Sequence, residues 1–212
     1  MSAPQSYYVP VDAGEAEFTE KRSHFLGHVR RVETEAEARA FLDEMRKKYY
    51  DARHNCWCYV LHEGGVVRYG DDGEPQGTAG QPMLNVFQRE GVENVVCVVT
   101  RYFGGVLLGA GGLTRAYARS AKDALDAAGK ARMRLWSAVT VDCPYPMLER
   151  LKLLAAAHGG TVEGTDFGAA VSVRILLPQE NAAGFDAALT ELSAGTMTAR
   201  REGERFLPGP RE

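Results

Sequence analysis

Arg101, Arg115 and Arg119 bracket a segment with glycines at 104, 105, 109, 111 and 112, the densest concentration of anion-binding chemistry in the chain. Guanidinium groups fit phosphate oxygens as a two-pronged fork, and glycines let backbone N–H groups approach a ligand closely. Arg115, Arg119 and Lys122 recur at i, i+4 and i+7, which places them along one side of a helix. Nucleic-acid or phosphate binding is therefore expected at Arg101, Gly104, Gly105, Gly109, Gly111, Gly112, Arg115 and Arg119. His54 is added as a partner for an unpaired base, and Trp57 and Tyr102 are candidates for the same role or for the core. A plainer reading stands beside this one: the glycines only let a strand and a helix pack closely, and the arginines sit on a solvated face.

Other chemistry is less well supplied. Asp71, Asp72 and Glu74 form an acidic, glycine-rich turn that could hold magnesium with a phosphate ligand, although such a turn needs no metal. That trio is the alternative to an expectation of no metal and no cofactor. Cys56 and Cys58 are expected to point to opposite faces of a strand and so to share no zinc. They are read, with Cys97 and Cys143, as core thiols. His24 and His28 share a strand face but stand about 13 Å apart, too far for one ion. Pairing Cys58 with His54, or Thr78 with Glu74, matches no nucleophile elbow or triad, so Thr78 is read as a cap or turn hydroxyl. Residues 104–112 match neither a Walker loop nor a dinucleotide fingerprint.

These residues need elements to hold them. Val95 to Val99 are apolar without alternation, as in a strand covered on both faces. Leu113, Tyr117, Ala121, Leu125 and Ala128 recur at helical spacing directly after the glycines. Strand, glycine loop and helix together aim free N–H groups at one point. Upstream, strands are expected near 7–11, 16–20 and 24–32, the second and third joined by a turn at 20–23. Thr34 to Glu37 has the form of a capping box that starts an amphipathic helix. A hairpin over 55–71 and a short helix from Pro82 to Gly91 follow, and the whole is expected to make an α/β sandwich on a mixed sheet. After residue 130 the order becomes β-α-β-β-α-β, the ferredoxin-like pattern. Two domains are expected, 1–130 and 131–212. On the sheet of the second, Thr140, Ser172, Arg174, Thr198 and Arg200 are expected to form a polar face.

Composition limits the partners. The chain has 212 residues and net charge −3, divided −2 and −1 across that boundary, so any nucleic-acid contact must come from a local patch. Four cysteines are too few for a disulfide scaffold. There is no basic-then-apolar signal segment and no apolar run of bilayer length, so a cytoplasmic protein without membrane contact is expected.

Four segments resemble the Impact/YigZ family: Lys21–Phe25, Arg53–Tyr59, Asp71–Pro75 with Gly77–Gly80, and Arg101–Gly109. The resemblance implies an N-terminal domain similar to domain four of elongation factor G, and a ferredoxin-like C-terminal domain in the prokaryotic two-domain type. It implies association with RNA or the ribosome and a role in regulating translation, with a protein partner in that control, and it supplies no catalytic residues. Eukaryotic relatives resemble only the N-terminal domain and restrain a starvation-sensing kinase. Their extra N-terminal module is missing here, so that role is not carried over. The alternative is an enzyme on a phosphorylated or nucleotide substrate, with the glycine loop cradling phosphate and the acidic trio holding metal.

Overall fold

A computed structural model describes residues 7–212. The chain divides into two compact units, one of residues up to Met133 together with Pro208–Glu212, the other Arg134–Leu207.

The first unit is built on a five-stranded sheet of β2 (Gly14–Glu20), β3 (Ser23–Arg31), β4 (His54–Leu61), β5 (Val66–Gly70) and β6 (Val95–Tyr102), in the order β2-β3-β6-β4-β5. A short β1 (Tyr8–Pro10) pairs with the first residues of β7 (Lys130–Cys143). Three helices cover the sheet: α1 (Glu35–Lys48), α2 (Gly80–Glu90) and α3 (Ala110–Ala128).

The apolar run of β6 is central and buried on both faces, as its sequence requires. Val95, Cys97 and Val99 enter the core under α2 and α3, while Val96 and Val98 enter a second core with Phe41 and Met45 of α1. Thr34 caps α1 by accepting from the Glu37 N–H at 3.2 Å. Leu113, Tyr117, Ala121, Leu125 and Ala128 are the buried stripe of α3.

Two expectations are corrected. The sheet is not mixed: every adjacent pair within it is antiparallel, because β6 inserts between β3 and β4 and runs against both. Cys56 and Cys58 do not face opposite ways. Residues two apart on a strand share a face, and both thiols lie in the core cluster that also holds Cys97.

The second unit carries the rest of β7, then α4 (Leu148–Ala157), β8 (Thr161–Phe167), β9 (Val171–Pro178), α5 (Ala182–Ser193) and β10 (Ala199–Arg211) as far as Leu207. The strand order β10-β7-β9-β8 is the ferredoxin-like arrangement, with Val141, Leu151, Val173, Ile175 and Phe185 in its core. Its polar sheet face is paired within itself: Asp142 binds Arg200 at 2.7 Å and also Ser172, and Arg174 binds Asp166. Thr140 is buried, and Thr198 lies just before β10 rather than on it. No helix among the described residues is long and apolar enough to cross a membrane.

Candidate nucleic-acid interface

Residues 103–109 leave β6 and run into α3 between two clefts, and Leu108 lines both. The close approach begins at Gly104. A Cβ there would stand 1.9 Å from the Arg22 carbonyl oxygen, so only glycine lets the loop pass over the β2–β3 turn. That turn is Lys21-Arg22, both residues at positive φ (44° and 68°), between the paired residues Glu20 and Ser23. Two positive φ values give the tight hairpin whose twist suits the strands. Its cost to non-glycine residues is accepted here, and two exposed cations are set beside the loop.

Helix α3 begins at Ala110 behind Gly109, with no side-chain cap. The first intrahelical bond runs from the Leu113 N–H to the Gly109 carbonyl, which leaves the N–H groups of Ala110, Gly111 and Gly112 open. Gly105 and Gly109 hold φ values of 83° and 73°, with open space around each.

The arginines have separate fates. Arg115 is exposed and has no ion-pair partner among the described residues. Arg119 lies over the Phe18 ring at 4.2 Å and pairs with Asp123 at 3.3 Å. Lys122 is held by Asp126 and by Glu90 at 3.6 Å. Arg101 is not on the surface at all. It is 4% exposed, and its Nη1 donates to Glu74 Oε1 at 2.7 Å while Nη2 donates to Ser23 Oγ at 3.1 Å. The Tyr117 hydroxyl donates to the same Glu74 oxygen at 2.7 Å. Burial, and then the charges of Cys56 and Glu74, push the Tyr117 pKa up, so it stays a proton donor to that carboxylate.

The acidic turn is structural. Asp71 accepts from the N–H groups of Gly77, Ala79 and Gly80 at 2.8, 3.1 and 2.8 Å and so caps α2. Asp72 accepts from the Asn55 N–H at 2.7 Å, and its carbonyl accepts from His54 Nδ1 at 2.8 Å. Thr78 is a turn hydroxyl that donates to the Pro75 carbonyl. Among the described residues no three His, Cys, Asp or Glu groups converge as a metal site. Asp71, Asp72 and Glu74 are thus committed to different partners.

His54 lines the larger cleft with Arg53, Glu74, Arg101 and the first residues of α3. Trp57 and Tyr102 do not join it. Trp57 stacks on Tyr59 at 5.6 Å. Tyr102 donates to Asp51 at 2.8 Å, a bond that with partial burial pushes its pKa up to about 12. The residues that sequence reasoning missed are Lys21, Arg22 and Arg53. The signal for the first two is a cationic pair at a hairpin turn, which in the sequence reads only as a connector.

An antiparallel sheet sandwiched by three helices, followed in the chain by a ferredoxin-like unit, defines a two-part α/β protein whose first unit carries the loop and its cations. The chain belongs to the IMPACT family. The family model described as Impact N-terminal domain matches residues 21–125, and a domain of unknown function, DUF1949, matches residues 141–196. The chain is 34% identical over 200 residues to the IMPACT family member YvyE of Bacillus subtilis, covering 94% of this chain and 92% of that one. It is 34% identical over 180 residues to YigZ of Escherichia coli, covering 84% and 88%. A crystal structure described as that of a hypothetical protein matches with a TM-score of 0.59 at 32% identity, over 94% of this chain and 97% of that one.

Proposed function

We propose that this chain is a non-catalytic cytoplasmic protein that associates with RNA, the RNA of the ribosome included, and regulates translation. The observation that carries the reading is a set of four cations that have no carboxylate partner among the described residues. Lys21, Arg22, Arg53 and Arg115 are exposed around the 104–109 loop and the uncapped start of α3. Most cations elsewhere on the first unit are neutralised, as Arg30 is by Glu44 at 2.8 Å and Lys130 by Glu90 at 2.5 Å. A chain of net charge −3 that keeps one cluster of free cations has the local patch that polyanion contact needs. Arg115 acts in this reading as a direct phosphate ligand, together with the N–H groups of Gly111 and Gly112. Gly104, Gly105 and Gly109 shape the loop, Arg101 braces it from below, and Arg119 contributes charge at its edge. A protein partner in translation control would meet the same face.

The test is sedimentation of cell lysate at low salt. The wild-type chain should travel with ribosomal particles, and the triple variant Lys21→Glu, Arg53→Glu, Arg115→Glu should stay in the supernatant. A wild-type chain absent from the particles, or a triple variant that still sediments with them, defeats the reading.

A further inference from the structure

The larger cleft, of about 360 Å³, holds polar groups that the fold leaves unspent. Glu74 and Arg101 line it with side chains 4% and 5% exposed. Glu74 commits Oε1 to Arg101 and Tyr117, and its Oε2 has no hydrogen-bond partner among the described residues. Arg101 Nε is buried and has no acceptor. His54 donates from Nδ1 to the Asp72 carbonyl, which leaves Nε2 as an acceptor, 3.9 Å from Glu74 Oε1. Gly109 and Ala110, at the uncapped start of α3, line the same cleft. Glu74 is the group that a ligand in this cleft would complete: a side chain 4% exposed whose second oxygen has no partner among the described residues.

We propose that this cleft binds a 5′-phosphorylated ribonucleoside whose 2′ and 3′ hydroxyls are both free. The cis-diol is matched by two acceptors, Glu74 Oε2 and His54 Nε2. The phosphate takes the open N–H groups of α3 and the Arg53 guanidinium. The base lies against Phe103 and Leu107, which are 38% and 82% exposed; the Phe103 ring also lies 5.4 Å from the Arg101 guanidinium carbon. The volume is in the range of small-ligand pockets. This chemistry has two sources, a free mononucleotide or the 3′ end of an RNA chain. The second source rests on the RNA-binding reading above; the first does not.

The test is isothermal titration of the full chain with adenosine 5′-monophosphate. Saturable binding is expected, with the 2′-deoxy analogue weaker by about tenfold or more, because the carboxylate loses a charged hydrogen bond. Arg53→Glu and Leu107→Glu, both at exposed positions, should each weaken binding by about tenfold with an unchanged melting temperature. A short oligoadenylate that binds more tightly than the mononucleotide, and loses the gain on 3′-phosphorylation, identifies the RNA end as the source. One that binds equally or more weakly identifies the free nucleotide. Equal affinity for ribose and deoxyribose forms, or no saturation at millimolar ligand, overturns the proposal. Either result alongside intact ribosome sedimentation leaves the surface reading standing.

Discussion

Glu74 and Arg101 stand 27 residues apart in sequence and meet at 2.7 Å with both side chains about as buried as the apolar core. The pair ties the glycine-rich 71–80 turn to the end of the central strand β6, with Tyr117 of α3 as the third member. Taking one partner away leaves an uncompensated charge. Glu74→Gln and Arg101→Met should each cost about 3–5 kcal/mol, and the double variant should cost clearly less than their sum. Urea denaturation of the four proteins checks this. Additive costs would mean the two side chains act independently.

Gly104 and Gly105 should respond differently to alanine. At 104 the added methyl meets the Arg22 backbone, while at 105 it meets open space and carries only the left-handed conformation, φ 83°. Gly105→Ala should cost about 1–2 kcal/mol. Gly104→Ala should cost more and shift the Lys21–Arg22 turn, visible as amide chemical-shift changes at residues 20–24. Equal costs with no shift at the turn would place the loop elsewhere than described.

Asp71 accepts from the N–H groups at the start of α2. Asp71→Ala should lower stability by about 1–2 kcal/mol, as loss of a cap does. Magnesium and chelator should leave the melting temperature of the wild-type chain unchanged. A magnesium-dependent rise that Asp71→Ala abolishes would restore the acidic turn as a metal site.

His28 gives the acid limb of stability a cause. It is 4% exposed, burial lowers its pKa, and Glu15 Oε1 opposes this from 3.4 Å without hydrogen-bond geometry. The Lys48 and Arg30 charges add to the lowering, and Tyr49 covers the ring at 5.3 Å. With its folded pKa below the unfolded value of about 6.5, the folded chain binds fewer protons. Stability is therefore full above that value and falls as pH drops from it towards the lowered folded pKa. His28→Gln should flatten this limb below about pH 6.5. An unchanged pH profile in the variant would assign the limb to other groups.

The sequence disclosed patterns that repeat along the chain and hid contacts made across it. The unbroken apolar run at 95–99 announced a doubly covered strand, and the stripe from Leu113 to Ala128 announced the helix after it. The ferredoxin-like order was legible because each element had its own period. Antiparallel insertion of β6 between β3 and β4 was not, since periodicity carries no strand order. Arg101 looks like a surface cation for the same reason: its partner Glu74 sits in a glycine-rich turn that reads as solvated until β4 and β6 are paired. Arg119 is a different case, because Asp123 four residues on is visible in the sequence as a helical ion pair.

RNA binding through this face requires Lys21, Arg53 and Arg115 to meet phosphate, and the salt dependence of RNA affinity measures that directly. For the wild-type chain the logarithm of the binding constant should fall linearly with the logarithm of salt concentration. In the triple glutamate variant the slope should be shallower by about 2–3, roughly 0.7–0.9 for each phosphate that is no longer neutralised. Parallel lines for the two proteins would contradict a role for these cations in binding RNA.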